Sequence, residues 1–167
     1  MLIAELGRLT RADRVRRNHA LEHAAIWIVS ERHPHVELRG RSNRRGFFIF
    51  GDVETAELRS TIEEALARLR SGEVELAIHP RCGTNLVVAG LMSGIAAAAA
   101  SRLKPSQNRF AYAVLAALGA LMASQPLGTM TQRHLTTLAD VQNLDVLDVQ
   151  KRSRWGNAAH WVRTRST

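Results

Sequence analysis

The residues best suited to chemistry form the run His19-Ala20-Leu21-Glu22-His23, an H-x-x-E-H pattern. On a helix, His19 and His23 lie one turn apart on a single face, so both imidazoles can bind one metal ion. Glu22 stands beside them and can accept the proton of a metal-bound water. This is the inverted zinc-peptidase arrangement. The pattern therefore predicts a zinc site at His19 and His23, with Glu22 as the catalytic base.

A zinc site of this type needs a further protein ligand, and the segment from His79 to Cys82 offers two. H-x-x-C is a workable ligand pair, and the helix predicted after Cys82 would stabilise its thiolate. We rank His79 and Cys82 above His134 as the completing ligands. In the alternative interpretation the histidines are surface residues that Glu22 neutralises, and Cys82 is a packing residue. A cysteine nucleophile with His79 as base is disfavoured, because three residues across a proline turn rarely align such a pair.

The H-x-x-E-H run lies within residues 12–31, where apolar side chains repeat at helical spacing. Two short strands are predicted at 35–41 and 46–51, followed by a second amphipathic helix at 54–70. Residues 73–79 alternate apolar and polar side chains and predict a third, half-buried strand. Together these elements predict a small α+β domain with the order helix-strand-strand-helix-strand.

The next part of the chain changes in character, since residues 82–101 and 110–132 contain no charged side chain. Roughly 20 helical residues cross the ~30 Å hydrocarbon core of a bilayer. Residues 82–132 therefore predict a two-helix transmembrane hairpin, with spans at about 84–101 and 110–131 and a basic loop between them. A buried helical hairpin in a soluble protein is the alternative that alanine-rich sequence also allows.

The first span contains Gly90 and Gly94, which form a G-x-x-x-G step. Such a step lets another helix approach closely. Ala117, Ala120 and Ala123 of the second span are its expected partners within the hairpin. The same face could instead contact another membrane protein or a second copy of this chain.

The predicted organisation is a soluble domain at 1–81, the hairpin, a return segment at 133–150 with a last strand, and a basic tail at 151–167. The tail contains Trp155 and Trp161 among cationic residues. Tryptophan combined with positive charge favours an anchor at the membrane interface. A disordered, solvated tail is the other interpretation.

The composition limits the expected classes of binding partner and the expected cellular compartment. Lys and Arg number 23 against 15 Asp and Glu, for a net charge of +8, which suits acidic lipid or nucleic acid. Nucleic acid is disfavoured because the arginines are dispersed with few aromatic residues among them. Cys82 is the lone cysteine, which excludes an intramolecular disulfide and favours a reducing compartment. With no secretory signal, we expect a bacterial inner-membrane protein with its soluble domain in the cytoplasm.

Several stretches together resemble a family of small bacterial two-span membrane proteins, the domain-of-unknown-function family 6391. They are Arg17 to His23, Gly46 to Val53, Leu76 to Val88, Pro126 to Gly128 and Thr136-Thr137. The resemblance covers about residues 15–150. It implies shared N-H-x-x-E-H and H-P-x-C-G-T-N motifs and no established activity. At the third place of the second motif, where the family has asparagine, this chain has Arg81, which alters the charge beside the predicted ligands.

These observations favour a membrane-anchored, zinc-binding protein with hydrolase-like chemistry. Its expected ligands are His19, His23, His79 and Cys82, with Glu22 as the base. The competing hypothesis is a non-catalytic membrane module that packs against a larger complex. In that hypothesis the polar motifs only brace the domain.

Overall fold

The computed structural model of the protein describes residues 10–103, 106–154 and 157–166. The chain divides into two units: a sheet domain, Met1–His79 with Thr136–Thr167, and a hairpin, Pro80–Leu135. The helices are α1 (Arg11–Arg32), α2 (Thr55–Arg70), α3 (Gly83–Leu103) and α4 (Arg109–Thr131). The strands are β1 (Arg39–Asn43), β2 (Gly46–Phe50), β3 (Leu144–Arg154) and β4 (Asn157–Ser166). Short 3₁₀ helices lie at Val74–Ala77 and Ser106–Asn108, and a π-helical turn at Gln132–Thr136. The α+β class is confirmed.

Helix α1, which contains the H-x-x-E-H run, begins with a capping box. The Asp13 backbone N–H donates to Thr10 Oγ1, and the Thr10 backbone N–H donates to the Asp13 carboxylate, both at 3.1 Å. The hydrogen bonds from Thr10 hold the pKa of Asp13 below its usual range. Pro34 follows the end of the helix at Arg32, and proline cannot continue a helix because it lacks the backbone N–H.

The four strands form one antiparallel sheet in the order β1-β2-β4-β3. Its inner face presents Phe47 and Ile49, fully buried against α1 and α2. Residues 157–166, predicted as part of a basic tail, are instead the central strand β4, which pairs with β2 and β3. Trp161 lies on the outer face, with its ring centroid 4.6 Å from that of Phe48. Trp155, the other tryptophan of the predicted anchor, lies outside the described residues.

The predicted third strand at 73–79 is wrong, because Val74–Ala77 forms a 3₁₀ helix. Gly72 has φ of 102°, which turns the chain sharply after α2. Glu73 then accepts a hydrogen bond from Arg68 at 2.6 Å and stays beside that helix. Val74 is 48% exposed, so the alternation that suggested a half-buried strand does not define a buried face.

The chain returns from the hairpin to the sheet domain along α1. Arg16 donates to the Thr137 carbonyl at 3.2 Å, and the Leu138 N–H donates to the Arg16 carbonyl at 3.1 Å. Arg17, which is 5% exposed, forms an ion pair with Asp140 at 2.8 Å. These contacts fix the return segment against the helix that contains the candidate site.

Both hairpin helices are long and apolar enough to cross a membrane. Their most apolar 18-residue windows have mean hydropathies of 1.7 and 1.5, and 0% and 6% of those windows are buried. The core helices of a soluble protein would bury most of such a window. The exposure therefore counts against the alternative of a buried hairpin.

The two hairpin helices contact each other through small and polar residues at one end. Gln132 donates to the Asn85 side-chain oxygen at 2.7 Å. A Cβ at Gly128 would lie 2.5 Å from that same Asn85 oxygen, so glycine permits the close approach. Farther along, Ser93 donates to the Ala117 carbonyl at 3.2 Å.

The G-x-x-x-G step does not form this helix contact. A Cβ added at Gly90 or Gly94 would lie more than 4 Å from every described atom outside the adjoining stretch of α3. The prediction that these glycines pack against the alanines of the second span is therefore wrong. Their spacing identifies a face of small residues, but spacing alone does not say which neighbour that face meets.

Candidate metal centre

His19 and His23 project from one side of α1, and each ring is oriented by a backbone carbonyl. His19 Nδ1 lies 2.9 Å from the Thr136 oxygen, and His23 Nδ1 lies 2.7 Å from the Ala77 oxygen. A carbonyl oxygen can only accept, so each Nδ1 carries the proton and donates it. The basic lone pair of each ring is then on Nε2. Carbonyl acceptors of this kind orient the histidine ligands of many metal sites.

Three imidazoles lie close together in the sheet domain. The ring centroids of His19 and His23 are 4.2 Å apart, and those of His23 and His79 are 5.8 Å apart. A ring nitrogen of His19 lies within 4.8 Å of one of His23. Two nitrogens bound to one tetrahedral zinc are about 3.3 Å apart, given Zn–N bonds of about 2.0–2.1 Å.

His79 is positioned by the segment that follows the 3₁₀ helix. Trp27 Nε1 donates to the Ile78 carbonyl at 2.7 Å, which fixes the backbone beside His79. The Trp27 and His79 rings meet edge-on with centroids 5.0 Å apart, and His79 is 8% exposed. The 3₁₀ helix thus supplies both the Ala77 carbonyl and the approach of His79.

Glu22 is 4% exposed and reaches the inner face of the sheet. Ser42 Oγ donates to its Oε2 at 2.5 Å. Its Oε1 occupies the space that a side chain at residue 40 would need, since a Cβ at Gly40 would lie 1.9 Å from that oxygen. Glycine at this position of β1 therefore makes room for the carboxylate.

Cys82 belongs to the hairpin, where it precedes the first turn of α3. Its Sγ accepts from the Thr84 N–H at 3.4 Å, and its carbonyl accepts from the Asn85 N–H at 3.0 Å. A helix N-terminus and an N–H donor both favour a thiolate over a thiol. Three residues of chain span at most about 11 Å, which limits how far Cys82 can lie from His79. His134, the lower-ranked ligand, lies in the π-helical turn Gln132–Thr136.

The sequence pattern indicates the histidines but not the groups that orient them. The Thr136 and Ala77 acceptors are backbone oxygens, which carry no signature in the sequence. Trp27 looks like an ordinary core residue of an amphipathic helix, and Ser42 like part of a polar turn. A signal existed only at Gly40, because a glycine within a strand often marks a close approach by another group.

One family model matches this chain. The model of a domain of unknown function, DUF6391, matches residues 14–149. An uncharacterised protein of Picosynechococcus sp. is 39% identical over 164 residues, which cover 90% of this chain and 79% of that protein. No solved structure matches the chain significantly. With most of its length matched by the family model, and its H-x-x-E-H and H-P-x-C-G-T-N segments inside the match, this chain belongs to the DUF6391 family.

Proposed function

We propose that this protein is a membrane-anchored metal-binding protein whose ion, zinc by its ligand chemistry, is bound by His19, His23 and His79. The observation that carries the proposal is the pair of Nδ1–H to carbonyl hydrogen bonds on His19 and His23. They set the same tautomer on two rings one helical turn apart. Zinc accepts imidazole and thiolate ligands in a tetrahedral arrangement.

Cys82 is proposed as the fourth ligand. Its place three residues after His79 gives H-x-x-C spacing, and the Thr84 N–H and the start of α3 favour the thiolate. A set of three histidines and one cysteine without a water would make a closed, structural zinc site. If Cys82 does not bind the ion, the fourth position stays open to water, as in catalytic sites.

Hydrolysis is the further activity that an open site would support. Glu22 would then act as the general base towards a metal-bound water. Its hydrogen bond from Ser42 holds the carboxylate in one orientation. That orientation matters because a base must meet the water at hydrogen-bond distance.

A second candidate is a non-catalytic module that braces a membrane assembly. The contacts of Glu22 favour it, since this carboxylate fills the space above Gly40 and joins α1 to β1. In this case Glu22→Gln would chiefly reduce the stability of the sheet domain. Metal content and activity separate the two candidates.

We further propose that the hairpin inserts into the bacterial inner membrane, with the sheet domain in the cytoplasm. The exposed apolar surfaces of α3 and α4 support insertion. The lone cysteine supports the cytoplasmic side, because a reducing compartment suits an unpaired thiol. C-terminal fusions to green fluorescent protein and to alkaline phosphatase test the orientation. We expect a fluorescent first fusion and an inactive second one.

The metal proposal is tested by elemental mass spectrometry of the full chain purified in detergent. The variants are His19→Ala, His23→Asn, Glu22→Gln and, as a matched control, the exposed His35→Ala. His23→Asn keeps a donor that can reach the Ala77 carbonyl, which limits damage to the fold. We expect about one zinc per chain in the wild type, the control and Glu22→Gln, and loss in the other two. No metal in the wild type after reconstitution with zinc would overturn the proposal.

Cobalt substitution then tests Cys82. A thiolate ligand gives cobalt(II) a charge-transfer absorption that oxygen and nitrogen ligands do not produce. This absorption in the wild type and its loss in Cys82→Ser would establish the fourth ligand and the closed site. If the site is open, the wild type should cleave fluorescent casein, and a chelator should stop the cleavage. Glu22→Gln should lose this activity while it retains zinc.

A further inference from the structure

We propose a second binding site in the sheet domain, the arginine recess, which binds an anion bearing more than one phosphate group. Its walls are Arg11, Arg14, Asn43, Arg44 and Arg45, around a volume of about 600 Å³. It involves neither the histidines nor the hairpin, and it does not depend on the proposed metal site.

Within residues 10–103, 106–154 and 157–166, the four guanidinium groups of the recess have no counter-charge. Among the residues that the structure describes, no carboxylate lies within ion-pair distance of any of them. Other arginines of the same domain are paired, such as Arg59 with Asp148 and Arg70 with Asp145. Like charges gathered around one concavity repel one another. An anionic ligand would relieve that repulsion.

The recess is built on rigid backbone. Arg11 and Arg14 lie three residues apart on the capped first turns of α1, which places them on one side of the helix. Arg44 and Arg45 form the two-residue turn between β1 and β2. The positions of both pairs are therefore set by secondary structure.

The turn itself is fixed at three points. The Asn18 side chain donates to the Asn43 carbonyl at 2.7 Å, and the Thr164 N–H donates to the Arg45 carbonyl at 3.0 Å. The next residue, Gly46, has φ of 145°, and a Cβ there would lie 1.9 Å from the Val162 oxygen. A turn tied to both α1 and β4 loses little backbone entropy when a ligand binds.

The chemistry of the recess selects phosphate. Guanidinium groups donate paired N–H bonds that match phosphate oxygens, and arginine binds phosphate bidentately more readily than lysine does. Four cations exceed what one phosphate monoanion needs, and the volume falls in the range of small-molecule sites, about 300–1,000 Å³. A diphosphate, or a lipid headgroup with its neighbours, fits both the charge and the size.

The test measures binding of inorganic pyrophosphate to the full chain in detergent by calorimetry, with a chelator present so that no metal mediates it. Arg44→Gln with Arg45→Gln should weaken binding about tenfold or more, because charge-assisted contacts to phosphate are lost. The matched control is Arg39→Gln with Arg41→Gln, which removes the same charge from exposed positions on β1. It should weaken binding less than about threefold. His23→Asn should bind pyrophosphate as the wild type does, whatever its metal content.

A second arm distinguishes the source of the phosphate. The same titration is repeated in nanodiscs of phosphatidylcholine alone and in nanodiscs that also contain phosphatidylglycerol. In one outcome, the wild type binds pyrophosphate more weakly in the anionic discs than in the neutral ones, while the Arg44/Arg45 variant shows no such difference. That result assigns the recess to lipid headgroups. Equal binding in both discs assigns it to a soluble phosphate compound. No pyrophosphate binding by the wild type in detergent, or equal weakening in both double variants, would overturn the proposal.

Discussion

The sheet domain and the hairpin differ in where each keeps its apolar side chains. In the sheet domain, Leu21 and Phe47 are fully buried. In the hairpin, Leu86, Leu115 and Met122 are 77%, 64% and 81% exposed. Burial of apolar surface drives folding in water, so the sheet domain follows the rule for an aqueous protein. Large exposed apolar surfaces mark contact with a membrane or a partner, and the hairpin is built for such contact.

Asn18 in the sheet domain and Asn85 in the hairpin each have protein partners for their side-chain amide. In the sheet domain, the buried Asn18 side chain accepts from Thr164 Oγ1 at 2.7 Å and donates to the Asn43 carbonyl. In the hairpin, Asn85 accepts from Gln132 and donates to the Pro80 carbonyl. A buried polar group without a partner is costly in any environment. The two regions therefore pair these asparagines in the same way and differ in the exposure of their apolar side chains.

The largest effect is expected from truncating the core of the sheet domain. Phe47→Ala should lower its free energy of unfolding by about 3–5 kcal/mol, through lost burial and the cavity left behind. The matched variant Leu115→Ala, on an exposed hairpin position, should leave the sheet domain unchanged. Chemical denaturation in detergent, monitored by hydrogen exchange of the β2 and β4 amides, measures the free energy of unfolding of both variants. Equal losses would contradict the division into two differently built regions.

A charge on the outer surface of the hairpin should have the next largest effect. Leu118 is 53% exposed near the middle of α4. If this surface meets lipid, Leu118→Arg costs about 2.5–3.5 kcal/mol of insertion free energy. Extraction of cell membranes with alkaline carbonate should then release the variant and retain the wild type. If wild-type protein is released as readily, the membrane proposal fails.

Within the hairpin, Gly128 and Gly90 sharpen the comparison further. Gly128→Ala should destabilise the helix pair by about 1–3 kcal/mol, because the new Cβ overlaps the Asn85 side chain. Gly90→Ala should leave the pair intact, because no described atom of α4 lies within 4 Å of its new Cβ. Cross-linking of cysteines introduced into α3 and α4 of a Cys82→Ser background measures the approach. Equal loss in both variants would place Gly90 at the helix contact.

The smallest effect concerns pH and the buried His160 of β4. Its burial, together with the charge of Lys151 opposite it, lowers its pKa below 6.5, while Glu54 and Asp52 oppose the shift. In the unfolded chain this histidine takes up a proton as the pH falls through about 6.5, whereas the folded domain does not until a lower pH. As the pH decreases from 6.5 to the folded pKa, the free energy of unfolding therefore falls by at most about 1.4 kcal/mol per pH unit. Below the folded pKa it levels off.

His160→Gln should remove that dependence and leave the rest of the pH profile in place. Hydrogen exchange of the β4 amides, recorded between pH 7.5 and 5, measures this pH dependence of stability. The lowered pKa values of Asp13, Glu54 and Glu73 act in a more acidic window, where protonation of these carboxyls removes their stabilising contacts. A variant with the same slope as the wild type above pH 5 would assign that slope to another group.

Features that depend on local spacing can be predicted from the amino-acid sequence. The extent of α1, the lengths of the two hairpin helices and the single-face placement of His19 and His23 all follow from helical periodicity and uncharged runs. Each involves residues within a few turns of one another, where backbone geometry leaves few alternatives. The α+β class followed from the same local patterns.

The contacts between groups far apart in the chain are visible in the tertiary structure and not in the sequence pattern. The tertiary structure turned residues 74–77 into a 3₁₀ helix, inserted residues 157–166 as the central strand β4, and gave Gly90 no neighbour on α4. It also brought the Thr136 and Ala77 carbonyls to the histidine rings. Strand pairing and backbone acceptors depend on residues far apart in the chain. No local pattern specifies them, because every residue offers a similar carbonyl and many segments offer a similar strand.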